Sequence, residues 1–471
     1  MSTIEVNKVK PQTGTDVQLG ESGDTITVPS GATLDASNAT TTLPANVVTT
    51  TGTQTLTNKS IASSQITGTI TPSDDTVTGA KLNDDVISSQ PELATEPADT
   101  DEFLVSDAGT IKRIDYSLIK SAVVSNQSAF RNIIINGDMT IAQRGTSQSS
   151  ITSDGYYTVD RFLTELGGSS VWTQSQASDA PSGQGFTYSL KMDCTTAQPS
   201  PASNDIVLVG QSIEGFMLQP IKQGTANAES TTLSFWHKHT KTGTNIVELL
   251  DADNANAVSG SYTQSVSDTW EKATITFPAN TSGTYDNDKN RSLRIRFIMS
   301  AGSDYTSGTL ATTWQTSITD ANRYAGQVNN ADSTSNNFII TGVQYEVGTS
   351  ASDFEFLPYD VNLQRCLRYF YAHASNGQVI GLMWWYQSGV NNTIIHLPIE
   401  MRTAPSASTT SGSGFYRVYS NGNITDFTSL SGLQDVSPTT VTIDSGITGS
   451  GSQVGRLRCN TNGKIEFSAE L

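Results

Sequence analysis

The sequence predicts a mainly β protein: a thin N-terminal β segment, a connector with one short helix, a β-sandwich, and a small C-terminal β domain. Three observations predict it. Ser and Thr make up about a quarter of the 471 residues, beside 38 Gly, while hydrophobic residues reach only 35% and charged residues 15%. That polar, turn-rich composition suits β folds facing water. Runs with a period of two recur from about residue 131 onward, the signature of half-buried strands. Finally, no aromatic residue precedes Phe103, and all six Trp follow residue 170. Aromatic side chains supply large buried areas, so the first hundred residues cannot build an ordinary core alone.

The same arithmetic removes several functions. With 27 Lys and Arg against 45 Asp and Glu, the net charge is −18, the wrong sign for general nucleic-acid binding. No apolar run approaches the roughly 18 residues of a membrane span. The start, Met1 to Lys8, lacks an apolar stretch, so no secretory signal is expected. Cys194, Cys366 and Cys459 are too few and too far apart for a disulfide framework or a zinc cluster.

Residues 1–85 form the first segment. It alternates Thr, Val and Ile between turn residues, as in Thr25-Ile26-Thr27-Val28-Pro29 and Thr42-Leu43-Pro44. This is either a linker or a β structure whose core other copies complete, and the regular recurrence of apolar positions favours the second. Residues 86–130 are the connector. Strands 102–106 and 110–114 make a hairpin across Asp107-Ala108-Gly109. Asp115 then caps a helix to about residue 125, whose apolar positions form one narrow stripe.

Residues 131–360 carry strand signals at sandwich spacing. Alternation puts Leu233, Phe235 and His237 on one face of a strand and Ser234, Trp236 and Lys238 on the other, with Trp236 expected in the core. Leu293, Ile295, Phe297 and Met299 should be core, and 338–347 a central strand. Residues 361–471 open with a helix over Val361–Tyr371. Short strands follow at 378–385, 393–399, 415–419, 440–443 and 464–467, with exposed loops at 406–414 and 444–452.

Several phrases carry a resemblance. They are Thr51-Gly52-Thr53-Gln54-Thr55-Leu56-Thr57-Asn58-Lys59, then Ala98-Asp99-Thr100-Asp101-Glu102-Phe103-Leu104-Val105 with Lys112-Arg113-Ile114-Asp115-Tyr116, and Asn132-Ile133-Ile134-Ile135-Asn136-Gly137-Asp138-Met139 with Val159-Asp160-Arg161-Phe162. A last phrase is Thr341-Gly342-Val343-Gln344-Tyr345-Glu346-Val347-Gly348 with Gln364-Arg365-Cys366-Leu367-Arg368-Tyr369-Phe370. In this combination and order the chain resembles tailed-bacteriophage tail fibre proteins with a carbohydrate-binding-module-like jelly roll. The resemblance implies a homotrimer, assembled in the host cytoplasm, joined to other tail or virion proteins by its N-terminus. It further implies a virion location and adhesion to host surface polysaccharide or lipopolysaccharide. Two other roles stay open: a structural fibre, collar or adaptor without a ligand, and a tailspike glycan depolymerase. The chain lacks the long repetitive shaft of larger fibres.

Catalysis finds little support in the residues. A glycosidase needs two carboxylates across a cleft. Glu214, Glu248, Asp251 and Asp253 are available, but their spacing carries no signal, and no catalytic residue is assigned. His237 and His239 share a strand face and could hold one metal, although strand histidines of this kind are more often structural. No cofactor is expected beyond a structural calcium. Asp251-Ala252-Asp253-Asn254 and Tyr285-Asp286-Asn287-Asp288 offer the loop oxygens for that, making Asp251, Asp253, Asp286 and Asp288 the candidate ligands. For glycans, rings that stack on a pyranose are wanted. Trp172, Tyr285, Tyr305 and Trp314 lie in polar, loop-like contexts. Trp384 and Trp385 are adjacent on a strand, so one must point in and the other out.

Overall fold

In the computed structural model the described residues are short stretches between 9 and 35, then 91–95, 97–124, 130–447, 449, 451 and 453–471. The phrases at 39–44 and 51–61 lie outside them. The protein is mainly β, with 41% strand and 7% helix. Contacts divide it into two units, Met1–Glu92 and Leu93–Leu471. In the first, the described residues form turns and extended stretches without a strand, and Leu19 and Ile26 stand 64% and 63% exposed.

The second unit opens with the hairpin. Glu102–Asp107 pairs with Thr110–Asp115, register Glu102↔Asp115 to Asp107↔Thr110. Ala108 and Gly109 take φ of 50° and 86°, the positive values that a two-residue hairpin turn requires. The helix Tyr116–Val124 follows at once. Leu104 is 80% exposed, so one copy of the hairpin buries little.

The sandwich follows as two six-stranded antiparallel sheets. The first runs, in spatial order, Asn256–Gln264, Gly243–Asp251, Arg291–Ala301, Ile206–Glu214, Leu163–Leu166, Gly155–Tyr156. The second runs Glu271–Phe277, Thr231–His239, Asn337–Val347, Ser189–Thr196, Val171–Ala177, Ser147–Ile151. Leu293, Ile295, Phe297 and Met299 all face the core. Phe235 meets Tyr262 and Phe297 edge-on, at centroid distances of 4.9 and 5.0 Å. Each such ring contributes about 1.5–3 kcal/mol by burial. Trp236 is not core: it is half-buried on the outer face, because alternation sends it opposite to Phe235 even within a central strand.

The C-terminal helix is Tyr359–Leu367 rather than Val361–Tyr371. It ends early because Phe370 begins a strand, Phe370–Ser375, that pairs with Lys464–Ser468. Ser406–Thr409 is the third strand of that sheet, in a segment whose Ser/Thr/Gly composition reads as loop. A seven-stranded sheet completes the domain: Asn423–Phe427, Tyr416–Ser420, Gln453–Cys459, Val379–Gln387, Val390–His396, Thr440–Asp444, Gly432–Gln434. Its core, with Met383, Trp385, Val418, Leu457 and Phe467, is separate from the sandwich core.

A buried charged seam joins the two bodies. Arg161 and Arg144 both pair with Glu470, and their guanidinium carbons each lie 3.5 Å from a ring centroid, of Tyr369 and Phe370 respectively. Arg368 donates twice to Glu214, at 2.8 Å each. Paired and stacked in this way, these buried charges escape the penalty an isolated one would carry.

Candidate functional site

The seven-stranded sheet has two unlike faces, and strand alternation makes them so. Along Val379–Gln387, Met383 and Trp385 point inward while Leu382, Trp384 and Tyr386 point outward. Trp385 is buried; its Nε1 donates to the Ile447 carbonyl at 3.2 Å. The Gly449 backbone lies so close that a Cβ there would stand 2.4 Å from that nitrogen.

Register places the outward residues in rows across neighbouring strands. Trp384 lies opposite Val454 on one side and Asn392 on the other. The next row runs Ile424, Tyr419, Arg456, Leu382. The third holds Asp426, Arg417, Arg458 and Val379. Among the described residues, none covers these rows: Leu382 is 67%, Val454 62% and Ile424 60% exposed. Tyr386 and Ile394 are also exposed, and Trp384 is half-buried. Contiguous exposed apolar area on this scale marks an interaction site.

Its polar groups are distinct. Arg417 makes a two-pronged pair with Asp426, at 2.5 and 2.8 Å. The Arg456 guanidinium carbon sits 4.5 Å from the Tyr419 ring centroid, a cation–π contact. The Tyr419 phenol is drawn below its ordinary range by its hydrogen bond with Arg417 and by neighbouring Arg458.

The other predicted rings are absorbed by packing. Trp172 is wholly buried in the sandwich, its Nε1 donating to Ser170 Oγ at 3.0 Å. Its polar surroundings suggest a loop, but it lies in a strand whose inward positions also take Gln174, which is bonded to Thr158 and Thr164. Tyr285 is buried in the same core, and burial pushes its phenol up. Trp314 is half-buried against that core and donates to the Pro278 carbonyl at 2.8 Å. Tyr305 rests beside Tyr324 at 5.7 Å. These four are scattered, and none presents a free face beside the others.

Of the calcium candidates, Asp253 and Asp286 are joined by a hydrogen bond from the Asp286 backbone N–H to Asp253 at 3.1 Å. Both oxygens of Asp251 already accept amide N–H groups, from Gln223, Asp253 and Asn254, and Asp288 accepts from Asn290. Among the described residues, no three acidic, His or Cys side chains form a metal-holding group. His237 and His239 do share the inner face. They are held by Gln264 at 2.8 Å and the Tyr262 hydroxyl at 2.9 Å, and His239 stacks on Phe338. Burial lowers the pKa of both.

The carboxylates weighed for hydrolysis are likewise engaged. Glu214 is bound by Arg368 and Tyr369, and Glu248 by Arg296, Arg323 and Tyr324. A surface depression lined by Asn132, Asp138, Glu355, Asn362 and Arg365 has room for about one water.

Sequence reasoning finds Trp384 and its neighbours but misses Arg456 and Arg458, because the strand Gln453–Cys459 is not recognised, and it does not set Tyr419 beside them although it reads that residue's own strand. The alternation Gly455-Arg456-Leu457-Arg458-Cys459 is the signal that marks it.

The chain matches no family model and no curated protein. Solved structures give partial likenesses. One is the enzymatically active domain of bacteriophage CBA120 tailspike protein 4, at 16% identity and TM-score 0.27, over 47% of this chain and 22% of that one. Another is the family 11 carbohydrate-binding module of the Clostridium thermocellum cellulase Lic26A-Cel5E, at 12% identity and TM-score 0.23, over 43% and 99%. The C-terminal family 22 carbohydrate-binding module of Clostridium thermocellum Xyn10B matches at 12% identity and TM-score 0.24, over 44% and 98%. This chain thus spans about a fifth of the tailspike structure. Every one of these likenesses covers less than half of it at a TM-score under 0.5, so no ligand is carried over from them. Among the described residues, no helix is long and apolar enough to cross a membrane.

Proposed function

We propose that the chain is a fibre-type virion protein of a tailed bacteriophage that adheres to host surface glycans through the outer face of its seven-stranded sheet. The observation that carries this reading is the uncovered row Trp384–Asn392 with Tyr386 beside it. It offers rings that can stack on the apolar side of a pyranose, with the exposed Arg456 one row away to bond its hydroxyls. The site works by binding. A rigid platform of this kind binds one sugar weakly and gains strength when several copies act together.

A homotrimer joined to the virion by its N-terminal segment supplies those copies. The exposed Leu19, Ile26, Phe103 and Leu104 support it, as apolar side chains that a partner chain would bury in such a trimer. The resembling phage fibre phrases supply the rest of the reading, including assembly in the host cytoplasm.

The test is binding of the full chain to an array of bacterial surface polysaccharides. Retention of at least one polysaccharide, weakened tenfold or more in W384A/Y386A, is the expected result. No retention across the array, together with no block of infection by the full chain, contradicts adhesion and favours a structural collar or adaptor. Release of reducing ends from a bound polysaccharide contradicts a purely binding role and favours the depolymerase.

A further inference from the structure

The outer face of the seven-stranded sheet carries uneven charge. The register Arg417↔Arg458 places two guanidinium-bearing residues directly opposite on an antiparallel pair, with Arg456 one row away on the same face. Like charges directly opposite destabilise such a pair. Asp426 neutralises only Arg417. Arg456 leans on Tyr419, and the Nε of Arg458 donates to the Cys459 carbonyl at 3.3 Å. Among the described residues, neither has a carboxylate within ion-pair distance. Two uncompensated cations on one face of a chain of charge −18 stand out against the acidic whole.

We infer that this face takes an acidic polysaccharide whose negative charge is a carboxylate borne on the sugar ring. The inference rests on the glycan-adhesion reading above and names its ligand class. Arginine forks match carboxylates in shape as well as charge. Trp384 and Arg456 are diagonal neighbours across two paired strands, a spacing of about 7–8 Å that long side chains bridge. A ring-borne carboxylate keeps the stacking face and the charge within one sugar residue, so both are met at once. A second copy of this chain is a poor occupant, because face-to-face packing would bring four unpaired guanidiniums together. A neutral glycan would leave both cations uncompensated.

The experiment is titration of the full chain with polygalacturonate, alginate and hyaluronate, each also in carboxyl-reduced form, and with a phosphomannan. The expected result is binding of at least one native polymer, weakened tenfold or more by carboxyl reduction and by raising salt from 50 to 200 mM on the order expected for ion release. R456Q/R458Q should lose the same tenfold with its circular dichroism unchanged, and W384A should weaken the native and the reduced polymer alike. Equal binding of native and reduced polymers, undiminished binding by R456Q/R458Q, or binding of the phosphomannan alone overturns the carboxylate assignment. If only reduced polymers bind and W384A abolishes it, adhesion stands and the acidic ligand falls. If acidic polymers bind and W384A leaves them unchanged, the aromatic platform falls. If no polymer binds, both fall.

Discussion

Two outer sheet faces of this protein carry the same kinds of residue and treat their charge in opposite ways. On the sandwich, Arg294, Arg296 and Arg323 gather near Tyr324 and Tyr305. Glu248, wholly buried, accepts from Arg323 at 2.6 and 2.9 Å, from Arg296 at 3.2 Å and from the Tyr324 hydroxyl at 3.1 Å. Glu165 takes Arg294. The segment containing Leu310 and Tyr324 packs over Leu208, Ile246 and Ile298 and closes the face. On the C-terminal sheet, Arg417, Arg456 and Arg458 stand near Tyr419, and among the described residues one carboxylate pairs with the three cations and no segment lies above them. A guanidinium beside a ring is therefore a strut where a buried acid closes it. Where none does, it stays open to solvent.

The largest effects should come from breaking what is closed. E248A leaves Arg296 and Arg323 without their shared acid and should cost about 3–5 kcal/mol, read as a fall in denaturant midpoint. W385A should cost a similar ~3–5 kcal/mol, whereas its neighbour W384A should cost under about 1 kcal/mol and act on binding instead. A W384A variant as destabilised as W385A would erase the difference between the two faces of that strand.

A smaller effect should follow pH. Burial holds His237 and His239 neutral, with folded pKa values below the ordinary 6.5. Below that pH the unfolded chain binds protons that the folded chain refuses, so stability should fall as pH drops through about 6.5. Asp160 works in the other direction: burial raises it from 3.8 to about 6, so it favours the fold more as pH falls through that window. H237Q/H239Q should therefore flatten or reverse the acid slope, and an unchanged thermal midpoint profile between pH 7 and 5 in that variant would contradict this assignment. The smallest effect belongs to the open face. R458Q should change stability by no more than about 0.5 kcal/mol, in the stabilising direction, because it relieves the opposition with Arg417.

The sequence discloses these faces unequally. Alternation alone places Leu293 to Met299 in a core and sends Trp384 and Trp385 to opposite sides, because a strand's period is local. It reads the hairpin at 102–115 to within a residue at each end. It cannot show that Trp172, among Ser and Thr, is buried, since the polar Gln174 beside it is satisfied by Thr158 and Thr164 on other segments. The closure of Glu248 by Arg323 spans 75 residues of chain and depends on sheet register, which no single segment states. The open arginines are missed for the plainer reason that Gln453–Cys459 follows directly on the Gly/Ser run 449–452, which reads as loop. The helix at 359–367 ends before its apolar pattern does, because strand pairing captures Phe370.

Hydrogen exchange of the full chain, with and without a bound surface polysaccharide, tests the contrast most directly. Slowed exchange confined to residues 379–396, 416–427 and 453–459, with none along 243–251 and 291–301, is the predicted result. Protection along the sandwich strands with none in the C-terminal sheet would contradict it.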